Sequence, residues 1–425
     1  MALARRGFLT LTGGIAAAAG LSACGSNTGR PEPGASDTAG GAKAQLSQWY
    51  HEYGEDGVQE AVKKYAAAYP NATVTVQWNP GDYDKLVSSA LLTADAPDVF
   101  EYGNGPTLDM IKAGQALDLT EALGDAKSQF TQSVLDAASW EGKIYAIPQT
   151  VDMQMLFYRK SALDQAGVAP PATIDDLIKA TSAVKTKDMG GFYAGTDGGI
   201  GVLNSMLIWA SGQEQISPDK TTIGFDNADG HNAFAKFAEL AGADGFVPSA
   251  SGDWSTASPF VNGEAAMQWS GLWILPEVTE ALGDDFGVLP FPSVGGSGRQ
   301  AVVFGAFGAC VNAKGPNVDA AKDFVRWLWV DQEDYQLEFS NAFGTHIPAK
   351  TALVPKADKV ATGAGAEAAK FVAELGHAND KLWTPAISQA VVAALTNVVQ
   401  KKADPKTELA AVTEKAKADI KRLNG

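Results

Sequence analysis

One cysteine near the start of the chain carries the best-defined chemistry. Leu21-Ser22-Ala23-Cys24 sets small side chains just before a thiol. In that pattern a peptidase cuts ahead of the cysteine, which is diacylated and becomes the new N-terminus. The residues before it serve the same chemistry. Arg5-Arg6 precedes Gly7-Phe8-Leu9, and an uncharged, mostly apolar run continues to Gly20. Paired arginines before Phe-Leu have the form of a twin-arginine export signal. Cations hold the start of the segment inside while the apolar run enters the bilayer. That run is too short to span, which takes about 20 residues, and small-residue cleavage follows it. The reading is a leader over 1–23, lipid attachment at Cys24, and a mature chain outside the cytoplasm. It is held to the outer face of the cell membrane by lipid only. No soluble ATP or NAD pool exists there, and no cofactor is expected.

Other reactive residue types do not assemble into a centre. The four histidines, His51, His231, His346 and His377, show no metal-ligand spacing to one another, so no metal is expected. Phe225 to Gly230 resembles a calcium loop only faintly, because Phe225 stands where the first ligand belongs; a capped helix start explains it better. Gly195 to Gly201 is glycine-rich but lacks the Lys-Ser/Thr of a phosphate loop. Cys310 lies alone in FGAFGACVNA and reads as a small buried hydrophobe.

The elements that must position any site follow from periodicity. Residues 25–43 lack large apolar side chains and are rich in Gly, Ser, Pro and Ala. They form a tether, residues 24–43 with the cysteine, reaching roughly 25 Å as a random coil. Order begins near Leu46. Strands at 46–50, 72–78 and 98–101 alternate with helical patterns at 58–69 and 83–94. That rhythm implies parallel pairing through crossover helices. Further strands are expected at 144–147, 154–159, 265–269 and 302–312, and helices near 173–185, 201–211, 272–282 and 317–330. Asp404-Pro405 opens a last helix with the stripe Leu409, Val412, Ala416, Ile420 and Leu423. Lys+Arg total 33 against 49 Asp+Glu, a net charge of −16. Without Arg5 and Arg6 it is −18. Such a surface repels phosphate backbones and excludes nucleic acid as a partner.

Two motifs identify a family. Gly142 to Lys160 reads GKIYAIPQTVDMQMLFYRK, and Phe260 to Trp273 reads FVNGEAAMQWSGLW. With the tethered leader, they closely resemble the family 1 extracellular solute-binding lipoproteins of sugar ABC importers, of the maltose-binding type, over roughly 45–425. Arg159 replaces the usual Asn of Tyr-Asn-Lys. The resemblance implies an α/β fold of two lobes, with mixed, mostly parallel sheets flanked by helices and a hinge between the lobes. It implies chain crossings near 151–154, 301–304 and 331–342. The N-lobe is then 44–151 plus 304–332, and the C-lobe 152–303 plus 333–425. It further implies a monomeric binding protein, not an enzyme. That protein captures a sugar, as an oligosaccharide, and delivers it to the membrane subunits of an importer with a cytoplasmic ATPase. Polyols or glycerol phosphodiesters are the alternative ligands, and a surface glycosidase is the rival class.

Sugar ring faces stack on aromatic rings, and sugar hydroxyls need fixed donors and acceptors. By resemblance the ligand residues are His51, Glu52 and Tyr53 after the first strand, Tyr102 and Asn104 after the third, and Asp152 at the first crossing. The other lobe contributes Asp197 near Asn204, Trp273 with Trp269 before it, and Trp383. Trp327 and Trp329 read as core.

Overall fold

The computed structural model describes residues 43–53, 55–342 and 345–424. The leader, Cys24 and the tether before Lys43 lie outside the described residues. The first strands form close to where the sequence places them: β1 (Ala44–His51), β2 (Ala72–Asn79) and β3 (Val99–Gly103). β1 pairs in parallel with both β2 and β3. Helix Val58–Ala68 joins β1 to β2, burying Val58, Val62 and Tyr65.

Next comes β4 (Ile147–Arg159), a single 13-residue strand where the sequence suggested two short ones. Its run from Ile147 to Val151 is buried. β5 (Gly190–Tyr193), β6 (Ala265–Gly271) and β7 (Phe286–Leu289) follow, then β8 (Val302–Val311). β4 pairs with β8 in its first half and with β6 and β7 in its second. The short β9 (Ile347–Pro348) pairs with β4, and β10 (Gly376–His377) with β8. The main path of the sheet runs β2-β1-β3-β8-β4-β6-β5. Parallel pairs lie toward both ends, and antiparallel pairs join β8 to β3 and β4 and β4 to β6. This is the two-lobed α/β fold with a mixed sheet that the sequence implied.

Some details depart from expectation. The helix starting at Tyr83 ends at Ala90, four residues early. The segment after Gly271 makes a short 3-10 turn, Leu272–Ile274, before helix Leu275–Leu282. Helix Val318–Arg326 passes into a wider turn, Trp327–Asp331. Helix Glu333–Ala342, assigned to the second lobe, packs on the side of β1–β3: Tyr335 stacks on Tyr65 at 4.5 Å, and Lys64 Nζ reaches Glu338 at 2.6 Å. Thr351 also donates to the Gln129 carbonyl. These contacts join residues after 333 to the part of the sheet built from β1–β3.

A second hydrophobic core gathers Trp209, Phe234, Phe237, Trp269 and the helices Pro385–Lys401 and Pro405–Asn424. The stripe Leu409, Val412, Ala416, Ile420 and Leu423 is buried in it, and the Asp404 carboxylate accepts from Thr407 N at 3.2 Å. Arg159 donates to the Phe260 and Val261 carbonyls at 2.6 and 3.1 Å, tying β4 to the segment before β6. Among the described residues, no helix is long and apolar enough to cross a membrane.

Candidate functional site

Two cavities flank β8, and strand alternation separates them. Val303 lines one of about 480 Å³, and its neighbour Phe304 lines the other, of about 980 Å³. Adjacent residues of a strand point to opposite faces, so the cavities lie on opposite sides of β8. Gly305, on the Val303 side, pairs with Asp152. Directly paired residues share a face, and Gln154, two residues on, lines the smaller cavity. Phe307 continues this face of β8 and stacks on His51 at 4.4 Å with a 19° tilt. The smaller cavity, Asp152 and His51 therefore share one side of the molecule. It lies at the carboxyl ends of β1, β5 and β6, where open α/β sheets bind ligands.

The second-lobe wall is aromatic. Trp273 and Trp254 meet edge to face at 5.7 Å. Trp273 Nε1 donates to the Ser255 carbonyl at 2.8 Å. Buried Gln268 donates to the carbonyls of Trp254 and Thr256, pinning that loop from below. The Trp273 ring lies against Gly271, where a Cβ would come within 2.0 Å of it; only a glycine lets the indole lie there. Trp269 is fully buried and stacks edge-on against Phe291. It is therefore core, not a wall residue, and its Nε1 donates to Gln154 Oε1 at 2.8 Å, fixing the amide that lines the cavity. Trp383 is 8% exposed, packs on Phe225 and lines the cavity. Asp197 also lines it, with Asp253, whose Oδ1 accepts from Thr196 N at 3.3 Å. Asn204 lines it too, and its amide donates to the Ile200 and Gly201 carbonyls.

On the first-lobe side the organiser is Glu101, buried at 2% exposure. Its carboxylate accepts from His51 N at 2.7 Å, from Tyr53 OH at 2.9 Å and from His51 Nδ1. With its amide turned to suit its neighbours, Gln149 donates to Glu101 at 3.3 Å and accepts from Trp329 Nε1 at 3.0 Å. His51 and Tyr53 are thus fixed together, their rings 3.9 Å apart, while Glu52 projects into solvent. Tyr102 departs from this group. It lies on the opposite face of β3 from Glu101, buried with Trp49, Tyr83 and Phe100. Burial and the nearby Asp84 push its phenol up to about 12. Asn104 is engaged by the backbone. It takes a left-handed φ of 58°, its Oδ1 accepts from Ala306 N at 2.9 Å, and its carbonyl accepts from Lys381 Nζ at 2.7 Å.

Against β4, His346 Nδ1 meets Asp152 Oδ1 at 2.9 Å, and its Nε2 lies 3.4 Å from Glu55 Oε1. Burial works against the charge, but the two carboxylates outweigh it and raise His346 to about 10. The neighbouring His346 imidazole holds Glu55 below the usual carboxylate range. The ring is stacked on Phe339. Cys310 is wholly buried, and burial pushes its thiol well up, which fits an inert core residue. Among the described residues no group of acids, histidines and cysteines could hold a metal. Asn227 caps helix Ala228–Ala241 through Asp229 N and Gly230 N, so the faint calcium loop is a helix start.

Residues 60–370 match the family model described as bacterial extracellular solute-binding protein. The chain belongs to that family. The melibiose/raffinose/stachyose-binding protein of Bacillus subtilis is 32% identical over 164 residues, 35% of this chain and 36% of that protein. The maltotriose-binding protein of Pyrococcus abyssi is 26% identical over 287 residues, 65% of this chain and 60% of the relative. The chain thus spans 36% and 60% of the lengths of these two curated relatives. The solved sugar-binding protein from Xanthomonas citri superposes with a TM-score of 0.75 at 20% identity, over 89% of this chain and 98% of that one. The family's two-lobed fold agrees with the sheet described above.

Three contributors to the site carry no sequence signal of their own: Trp254, Glu101 and His346. Trp254 sits in a Ser/Gly/Thr loop, Glu101 in an apolar strand, and His346 lies 194 residues from Asp152.

Proposed function

We propose that this protein binds an oligosaccharide in the cleft on the Val303 face of β8 and delivers it to an ABC importer. The observation that carries this reading is Trp254 and Trp383 lining a cavity of about 480 Å³ with Gln154, Asp197 and Asp253, while Trp273 packs edge to face on Trp254 behind it. Rings for apolar sugar faces stand next to acceptors and donors for hydroxyls. The relatives named above are called after melibiose, raffinose, stachyose and maltotriose, which favours short glycans. The same reading makes the protein a carrier without catalytic turnover, working as a monomer through membrane subunits coupled to a cytoplasmic ATPase. It includes export by the leader over 1–23 and anchoring to the outer face of the membrane by lipid at Cys24. The lobes then divide near 151–154 and 301–304, with His51 on one and Trp254, Trp273 and Trp383 on the other. Ligand touches both fully only when they close.

A thermal-shift panel of melibiose, raffinose, stachyose and maltotriose tests the reading, because binding the native state alone raises its melting temperature. Saturable stabilisation by at least one glycan, recovered unchanged by chromatography, is expected. Cleavage of the glycan would move the protein to the glycosidase class, and absence of any shift across neutral glycans would reject carbohydrate as the ligand.

A further inference from the structure

We infer that Asp197 makes the cleft refuse anions, so that it admits uncharged glycans and rejects those bearing phosphate or carboxylate. This rests on the carbohydrate reading for the kind of ligand, but not for the sign of its charge.

Helix Ile200–Ala210 starts at the smaller cavity, and Gly201 on its first turn lines it. A helix N-terminus offers unpaired N–H groups and the positive end of the dipole, a natural seat for a phosphate. Here the chain's own carboxylate occupies it. Asp197 Oδ1 accepts from Gly199 N at 2.9 Å, and Oδ2 from Gly201 N at 2.7 Å. The approach needs glycine, since a Cβ at position 201 would lie 2.7 Å from Oδ2. Asp197 is exposed and itself lines the cavity, so its charge faces the ligand space. Asp253 adds a second carboxylate, and no Lys or Arg is among the described residues lining the cavity. The His346 cation on the same face is matched by Asp152 and Glu55. An entering phosphate would therefore find two like charges and no counter-charge. Such repulsion is how a site rejects a near-relative of its ligand. It also weighs against the glycerol phosphodiester alternative.

The test compares wild type with Asp197→Asn, which removes the charge and keeps one of the two acceptor oxygens that face Gly199 N and Gly201 N. Calorimetry would measure each protein against the best neutral glycan of the panel, that glycan's phosphate ester, glycerol 3-phosphate and inorganic sulfate. Wild type should bind the neutral glycan and none of the anions. In Asp197→Asn the ratio of anionic to neutral affinity should rise about tenfold or more, with Asp253→Asn giving a smaller rise. Equal wild-type affinity for the glycan and its phosphate ester would overturn the inference and leave the carbohydrate reading standing. If wild type binds no glycan, the carbohydrate reading falls, and sulfate decides the inference alone. A gain of sulfate binding in Asp197→Asn supports it, and no gain overturns it.

Discussion

Asp152 Oδ1 and His346 Nδ1 lie 2.9 Å apart, although 194 residues separate them in the chain. Asp152 sits on β4, and Glu55, from the loop after β1, approaches the other ring nitrogen. One protonated imidazole thus binds the loop beside His51 to β4. His346 is raised from 6.5 to about 10, so its contribution to stability is complete below about pH 6.5 and is lost as the pH rises through 10. Glu55, lowered from 4.5, contributes above that value and loses its share as the pH falls. Lys381 runs the other way, because burial lowers it to about 8 and folding improves as it deprotonates.

Replacing His346 isolates its part. Removing one member of a buried ionic group costs about 3–5 kcal/mol, because its partners keep uncompensated charge. His346→Gln should lose that much at pH 7 and much less at pH 10.5 when urea unfolding of variant and wild type is compared. A difference that stays constant with pH would show that the ring is neutral.

The tryptophans should divide by role. Trp254→Ala and Trp273→Ala remove rings from the wall. Each should weaken glycan binding by roughly 1–3 kcal/mol, a range taken from ring stacking on nucleic-acid bases, with little change in melting temperature. Trp269→Ala empties a fully buried site and should cost about 3–5 kcal/mol of stability. Titration calorimetry and thermal melts on the same three proteins give the comparison; a stable Trp269→Ala would contradict its place in the core.

Gly271→Ala tests the seating of Trp273. A Cβ there lies 2.0 Å from the indole, so the ring must leave its position. Overpacking of this kind costs about 1–3 kcal/mol. Intrinsic tryptophan fluorescence should shift, and glycan affinity should fall toward that of Trp273→Ala. An unchanged spectrum and affinity would mean the indole seats elsewhere in solution.

Glu101→Gln tests the organiser of the first loop. The carboxylate accepts from His51 N and Tyr53 OH, and hydrogen bonds to a charged group contribute about 1.5–3 kcal/mol each. The variant should melt lower and bind glycan more weakly, with hydrogen exchange accelerated at residues 51–53. Weaker binding without faster exchange at those residues would assign Glu101 some other role.

Much of the frame is already legible in the residues themselves. Strands read at 46–50, 72–78 and 98–101 appear at 44–51, 72–79 and 99–103, and the last helix follows from Asp404-Pro405 and its apolar stripe, because these depend on neighbours one to four residues apart. Resemblance to the family's motifs likewise brought Trp273 and Asp152 to notice. Proximity between distant segments was decided only by the tertiary structure. His346 meets Asp152 through a pairing that local sequence does not encode, and Trp254 reaches Trp273 from an aperiodic loop. Trp269 and Tyr102 read as wall residues by position, but strand alternation and packing turn them inward. Side-chain direction at a strand's end is fixed by what lies across the sheet, and β4, one 13-residue strand paired with β8, β6 and β7, sets that register.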